Sequence, residues 1–468
     1  MGDRSGAVRS QPVAVGALVL VGFVSVLVSS VTSMALAPLA AAMGVSMAAV
    51  VQVTTAFLIT AGLALPVAGW AVDRAGGRLV LLIGIAVFAA GALGGGLAGS
   101  FDQLIAARAV QGLGGGSLEP ACLALISRIT DRRRIGAVMG LMASAINVAP
   151  VVGPVFGAVL LSWAGWRGIF LFSAPPMMLA AGLLLLSLPR RVGEEPVPGA
   201  PRDGSDPDGP SRPDLAGLVL LGLGFTGVVF ALARLGAAAP WTVAGAALAG
   251  AALLVIYVRR ALGMPDPAVD PRLFADPRFA GAAAIMALGG ALLFSMLTVV
   301  PLIAREAWGL SGLAQAVPLG AFGTGVLISM SASGALSDRI GSRRIVTVGA
   351  VCAALALAAV AVCLLIGTQM TVSLVLLVLA GASYGAVSAP TFASIYRILP
   401  EKTAGRGTTA ALMGMQMGSA LGVTGLGLLV DAPVAARFSW ALGALALLMA
   451  LASGIARAAL TGEESSAR

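Results

Sequence analysis

Two ionisable side chains of this 468-residue chain stand where ionisable side chains are rare. Between residues 104 and 126 the sequence is almost all apolar or small, yet Arg108 and Glu119 interrupt it, the second within "GLGGGSLEPACL" (112–123). Of the 20 acidic residues, Glu119 alone falls well inside an apolar run; Asp102, Glu306 and Asp431 sit at run ends and the others in polar segments. A charge at the centre of a membrane helix costs about 2.5–3.5 kcal/mol on insertion scales. A carboxylate there is therefore read in one of two ways. It takes up and releases a proton during a transport cycle, or it is a polar link to another helix or to a wet vestibule. Eleven residues turn an α-helix through about 1100°, which puts Arg108 and Glu119 on one face about 16.5 Å apart. That is too far for an ion pair and suits two stations along one cavity, with the glycines of 112–116 leaving room for cargo or water. Other chemistry is excluded by what the chain lacks. It has no histidine, and Cys122, Cys352 and Cys363 lie inside apolar runs without metal spacing, so no metal and no cofactor is expected; energy would come from a proton gradient.

The elements that must position these groups are membrane helices. Hydrophobic residues make up 59% of the chain and charged residues 10%, with a mean hydropathy of +0.99; soluble domains carry about 25% charged residues. The apolar runs are long and lack the alternation of a barrel strand, so the fold class is all-α, polytopic, in the membrane. Fourteen spans are expected, at 13–35, 50–71, 79–99, 104–127, 136–162, 168–188, 215–233, 241–258, 279–303, 313–336, 345–366, 371–395, 407–430 and 438–457. The first run is too long for a signal peptide and is read as a retained helix. Net charge is +9, which in a soluble protein would point to nucleic acid. Here the arginines flank the spans instead. With a cytoplasmic N-terminus only Arg167, Arg234, Arg305 and Arg437 fall on the outer side and Arg108 within a span, so the positive-inside rule supports an even count with both termini cytoplasmic.

One segment is not membrane. Residues 189–214, "PRRVGEEPVPGAPRDGSDPDGPSRPD", are rich in proline, glycine and charge and read as a flexible cytoplasmic linker. On either side of the middle the chain repeats itself. "GWAVDRAGGR" (69–78) returns as "GALSDRIGSRR" (334–344), an offset of 265 (338 − 73), and Pro120 returns as Pro390. The expected organisation is a six-helix bundle (1–188), the linker (189–214), two additional helices with a connecting loop (215–278) and a second six-helix bundle with a short tail (279–468). Parallel repeats of this kind build transporters, with the substrate site where the halves meet near the midplane.

At this point the residues resemble the major facilitator superfamily, and within it the fourteen-helix drug:proton antiporters of the EmrB/QacA type. "GWAVDRAGGR" resembles the loop motif G-x-x-x-D-R-x-G-R-R. "RAVQGLGGG", from Arg108, resembles the helix-4 motif R-x-x-Q-G. "APVVGPVFGA" (149–158) resembles the antiporter motif G-x-x-x-G-P-x-x-G-G, with Ala149 and Ala158 for two glycines. "GWRGIF" and "RLFADPRFA" are similar to this subfamily as well. The acidic residue that the subfamily often carries in its first helix is replaced by Ser29, which makes Glu119 the coupling candidate, with Arg108 beside it. The resemblance implies a latch in which Asp73, at a helix end and braced by Arg74 and Arg78, meets the positive N-terminus of the thirteenth helix near Gly407 and Thr408. Gly69 and Gly76 would allow close approach and a tight turn. Gly334, Asp338, Arg339 and Arg343 would make the matching latch. Gly153, Pro154 and Gly157 would bend the fifth helix and pack it closely.

Weaker expectations concern cargo contacts: Gln52, Gln111, Asn147, Tyr384, Met413, Gln416 and Met417, amides, a tyrosine and adaptable methionines in or near spans. So few charged cavity residues favour a hydrophobic or weakly charged small molecule. The resulting expectation is a proton-coupled drug or antibiotic exporter, monomeric, in a bacterial cytoplasmic membrane, with cargo, protons and lipid as its partners. The alternatives are a facilitative importer of a metabolite and, from another class, a membrane receptor or enzyme.

Overall fold

A computed structural model of the protein describes residues 11–130, 135–188, 214–235, 239–265, 267–426 and 434–460. Fourteen long helices lie among the described residues: α1 (Gln11–Met43), α2 (Gln52–Ala75), α3 (Gly77–Leu97), α4 (Phe101–Ile129), α5 (Ile135–Leu171), α6 (Ala174–Ser187), α7 (Leu215–Ala233), α8 (Pro240–Leu262), α9 (Pro277–Glu306), α10 (Val317–Ile340), α11 (Ser342–Ile366), α12 (Met370–Ile398), α13 (Glu401–Leu426) and α14 (Val434–Ala459). Eleven are long and apolar enough to cross a bilayer by length and composition. The other three are α4, which carries Asp102, Arg108, Glu119 and Arg128, the 14-residue α6, and α13, which begins with Glu401, Lys402 and Arg406. In hydrocarbon each backbone amide must be satisfied within its own segment, which is why nearly every described apolar stretch is helix.

The helices agree with the expected spans within a few residues, with two differences. α1 runs on to Met43 through Pro38. α5 continues past its expected end, and its backbone breaks at Gly165 (φ 63°) rather than at Pro154, so "GWRGIF" forms a short extra turn before α6. The expected linker, 189–214, lies outside the described residues except for Asp214.

The internal repeat is physical. The turn from α2 to α3 passes through Gly76 at φ 84°, ψ 145°, and the turn from α10 to α11 through Gly341 at φ 85°, ψ 146°. Both amides bond the carbonyl four residues back, at 3.1 and 3.0 Å. Only glycine takes this backbone without strain. Within the N-terminal half α5 packs on α1, and Gly153 and Gly157 are the contact: a Cβ on Gly153 would strike Ser30, and one on Gly157 would press on Val31 and Met34 at 3.2–3.3 Å. In the C-terminal half α13 packs on α9 in the same way, with Gly418 against Ala287 and Gly422 against Ala291. The offset is again 265 (418 − 153 and 422 − 157).

α7 and α8 form a hairpin whose close approach is made by Gly224 and Gly227 against Gly250. α7 lies against α2, where Gly222 faces Leu63, and beside α13. Its N-cap is Asp214. Burial pushes that carboxyl upward, but the Arg260 guanidinium and the amides of Gly217 and Ala268 outweigh it and hold Asp214 below the usual carboxylate range.

Because both repeat turns depend on the same backbone state, Gly76→Ala and Gly341→Ala should each destabilise the protein by about 1–3 kcal/mol. Thermal unfolding in detergent should show two similar drops in midpoint; an unchanged midpoint in either variant contradicts this account of the turns.

Candidate functional site

The candidate site is built on α4. Ser100 caps the helix by accepting from the Gln103 amide at 3.3 Å, and the Gln103 side chain accepts from Gly99 N at 2.9 Å. Beyond the cap the glycines take over. A Cβ on Gly112 would strike Thr60 and the Phe57 carbonyl, one on Gly116 the Ala61 carbonyl, and one on Gly114 the backbone at Gly84 and Phe88. The glycine run is therefore filled by the backbones of α2 and α3. It leaves no room for cargo, which corrects the expectation from sequence; small residues here serve helix approach in lipid. The same contact recurs in the other half, where Gly381 meets the Phe322 carbonyl and Gly385 meets Ser329 and the Val326 carbonyl.

That approach encloses Arg108, which is 0% exposed. Its Nε donates to Val53 O of α2 at 3.0 Å and Nη1 to Gln111 Oε1 at 2.6 Å. Gln111 Nε2 in turn donates to Ser173 Oγ at 3.5 Å, and Ser173 to Phe170 O at 3.0 Å. The guanidinium carbon lies 4.5 Å from the Phe57 ring centre and 5.8 Å from that of Phe170. Carbonyl, amide and aromatic faces thus solvate a cation with no carboxylate among these partners, and Nη2 is left without a hydrogen bond. Arg108 is not a station on an open path in this conformation, and Gln111 is spent on holding it. Both points differ from the sequence expectation, and the reason is the glycine contact that brings α2 within reach.

Glu119 is the opposite case. It stands in the middle of α4, half-buried, and among the described residues it makes no hydrogen bond or ion pair. Its neighbour Pro120 has no N–H, so the Gly116 carbonyl receives no helix bond one turn before Glu119. Cys122, also nearby, points its Sγ at Leu18 O at 3.8 Å. In the repeat-related α12 the glycine contacts set an offset of 269 (381 − 112), one residue short of the Pro120–Pro390 pairing, and put Leu377 and Ser388 at the positions of Arg108 and Glu119. The acid and the base belong to one half only.

The two halves are sealed to each other on the face opposite the arginine-rich loops. Thr55 Oγ1 of α2 and Thr424 Oγ1 of α13 share a hydrogen bond at 3.1 Å, and Met34, Ala158 and Ala316 pack together from both halves. A cavity of about 40 Å³ lies in this seal, lined by Met47, Val51, Thr298, Phe438 and the ion-paired Glu306 and Arg437. Deeper in, a Cβ on Gly62 would meet Met417 and, at 3.1 Å, Gln416. Toward the arginine-rich face the two motif glycines make no close approach. A Cβ on Gly69 or on Gly334, its repeat equivalent, would meet nothing within 4 Å, and Gly407 packs on Leu399 and Phe279 of its own half. The close approach expected at Gly69 is absent here, whereas the tight turn at Gly76 is present. The side chains of Asp73, Asp338 and Asn147 lie outside the described part of the structure. Arg74 sits 5.9 Å from the Trp70 ring, Arg339 is exposed, and Arg78 and Arg343 are half-buried.

The expected cargo contacts divide. Gln52 opens α2 on the sealed face, away from the middle. Met413 and Met417 are buried in the core that α13 shares with the N-terminal half. Tyr384 is buried, hydrogen-bonded to Ser388, with the Phe322 ring 6.4 Å away. Gln416 keeps a buried Oε1 without a partner, so it retains an acceptor to offer. Val53, Phe57, Ser173 and Ser388 were not foreseen; Ser388 comes opposite Glu119 only through the glycine contacts, since the Pro120–Pro390 pairing gives Ala389 there.

The chain has relatives of matching length. A sequence profile of the Major Facilitator Superfamily matches residues 18–423 and 283–467. The proteins called "Putative multidrug resistance protein MdtD" from Salmonella typhi and Salmonella typhimurium are each 28% identical over 424 residues, covering 87% of this chain and 84% of theirs. Among solved structures, a bacterial homologue of the human lysosomal transporter Spinster, inward-facing and unoccupied, is similar with a TM-score of 0.68 at 16% identity, covering 98% of each chain. A D-xylose-proton symporter is similar at 0.64 and 15% identity, covering 95% of this chain and 97% of that one.

Removing the Arg108 side chain leaves Gln111 Oε1 without its donor and a cavity beside Phe57 and Phe170, whereas Glu119→Gln breaks no bond among the described residues. Arg108→Ala should therefore lower the thermal midpoint well beyond Glu119→Gln, by about 2–5 kcal/mol of stability against less than about 1. Equal midpoints for the two variants would contradict the geometry.

Proposed function

The chain belongs to the Major Facilitator Superfamily, a multi-pass transporter of the bacterial plasma membrane rather than an enzyme, and from that premise we propose that it exports hydrophobic or weakly charged small molecules in exchange for protons. The observation that carries this reading is Glu119, an acid in the middle of a membrane helix with nothing bonded to it among the described residues. A structural acid would be paired or hydrogen-bonded; an unpaired one is free to change protonation state as its surroundings change.

The cycle follows from the two faces. With the outer face sealed by Thr55–Thr424 and by the Met34, Ala158 and Ala316 contact, cargo enters from the arginine-rich, cytoplasmic side. It settles between the halves near Gln416 and Tyr384, and Glu119 gives up its proton to the same side. Rocking of the halves then closes the cytoplasmic side, opens the outer seal and releases cargo outward, where Glu119 takes up a new proton. Neutral Glu119 lets the empty transporter return through an apolar environment at lower cost. Arg108, locked by α2 and Gln111, keeps a fixed positive charge on the same helix face and favours the return of a negative charge to Glu119. The names of the Salmonella relatives support drug export as the direction and cargo class. Fourteen spans with both termini cytoplasmic, a monomeric state and antibiotics as cargo belong to this reading too.

The test is proton movement in inverted vesicles. After the lumen is acidified, a panel of apolar drugs is added and luminal pH is followed by fluorescence dequenching. Wild type should dequench and Glu119→Gln, at equal expression, should stay at background. Equal dequenching in both would remove Glu119 from the coupling. Cargo accumulating only when protons flow in the same direction would make the protein a symporter and overturn export.

A further inference from the structure

The pair of extra helices has no place in the transport cycle above, yet its cytoplasmic end is the most densely tied part of the described surface. Asp214 precedes α7 and its side chain is 1% exposed. It accepts from Gly217 N at 2.8 Å, which caps α7, from Arg260 of α8, and from Ala268 N of the α8–α9 loop at 3.4 Å. Gly217 must be glycine for this, since a Cβ there would strike the Asp214 carboxylate. Tyr257 of α8, 2% exposed, donates to Val269 O at 2.6 Å and accepts from Val269 N at 2.8 Å, so one phenol holds both backbone groups of a loop residue. Arg272 donates to Leu262 O at 2.6 Å and closes the end of α8. The loop is thus bonded to the hairpin at three points.

What the loop and hairpin touch gives these bonds a role. Val269 packs against both hydrophobic cores, that of the C-terminal half and the one that α13 shares with the N-terminal half. Leu273 packs on the C-terminal core, and Phe274 stacks edge-on against Phe279 of α9 at 5.2 Å. α7 meanwhile lies on α2 through Gly222 and Leu63, and its Val229 is part of the N-terminal core. A continuous line of contact runs from α2 through α7, Asp214 and the loop into α9. Its two ends belong to different halves of the transporter.

We propose that the α7–α8 hairpin and the 267–276 loop form a strap across the arginine-rich face, and that Asp214, Arg260 and Tyr257 are the positioning residues that fasten it and limit how far the halves part there. With α7 held on α2 and the loop held on α9, separation of the halves on this face must either carry the hairpin along or break the Asp214 and Tyr257 bonds. The Asp214 and Tyr257 side chains are buried, and breaking the loop bonds takes Ala268 N from Asp214 and both backbone groups of Val269 from the Tyr257 hydroxyl, which is costly. The strap therefore acts as a stop on opening. It depends on the two-half architecture and not on the identity of the cargo or on proton coupling.

The experiment is distance measurement by pulsed electron spin resonance on the full chain, with Cys122, Cys352 and Cys363 replaced. One label pair, Leu141→Cys and Leu336→Cys, sits at exposed positions near the arginine-rich ends of α5 and α10. A second pair, Ser162→Cys and Val317→Cys, reports on the opposite face at exposed positions of the same helices. Three fastener variants are compared: Asp214→Ser, which keeps a helix-capping hydroxyl but cannot reach Arg260, Arg260→Gln, and Tyr257→Phe, which keeps the ring and loses only the hydroxyl. The expected result is a longer or broader distance for the 141–336 pair in all three, with no lengthening of the 162–317 pair. Monodisperse variants whose 141–336 distances coincide with the parent's, or whose change is confined to the 162–317 pair, overturn the strap. Because no cargo or gradient is used, this outcome stands apart from that of the vesicle assay.

Discussion

An arginine held wholly out of water, solvated by a carbonyl, an amide and two aromatic rings in place of a carboxylate, is the constraint around which the N-terminal half is arranged. Arg108 can lose its hydration only if Val53 O, Gln111 and Phe57 come within reach. They do so only because Gly112 and Gly116 let α2 touch the backbone of α4. The same contact at Gly381 and Gly385 shows that the packing belongs to both repeats, while Leu377 at the place of Arg108 shows that the charge does not. A shared scaffold has thus been given an electrostatic site in one copy only.

That asymmetry shapes the reading of Glu119. If Glu119 paired with Arg108 the two would neutralise each other and neither would respond to a change of access. The helix keeps them about three turns apart, and Arg108 is satisfied by uncharged partners. Among the described residues the acid has no fixed bond of its own. A group so placed responds to whichever face supplies water, and the structure has one face sealed by Thr55, Thr424 and the Met34 contact and the other with both motif glycines, Gly69 and Gly334, facing open space.

Much of this was legible in the sequence because it follows from period and polarity. The fourteen apolar runs, the repeat at offset 265, the turn at Gly76 and the packing glycines Gly153 and Gly157 all have local signatures. The errors arose where the outcome depends on what fills a space. A run of glycines reads equally as room for a ligand or as room for another helix, and only the position of α2 decides it. Gln111 reads as a cargo contact until Arg108 is seen to claim its carbonyl oxygen. Gln52 and Gln416 have the same chemistry, but one sits at a helix end and the other at the seam between the halves. The break at Gly165 was masked by the more conspicuous Pro154, which α5 accommodates without leaving helical backbone. Nothing in the pattern of apolar residues distinguishes α7 and α8 from the other spans; their ties through Asp214 and Tyr257 are long-range and appear only when the loop is in place.

The most direct test of the central claim, that Glu119 is a free, exchanging acid while Arg108 is a fixed charge, is infrared difference spectroscopy of the purified protein across a pH titration. The account predicts a carboxyl C=O band that appears and disappears reversibly across the titration and is absent from Glu119→Gln. A spectrum in which the same titrating bands remain in Glu119→Gln would contradict it, and would make Glu119 a silent part of the helix interface.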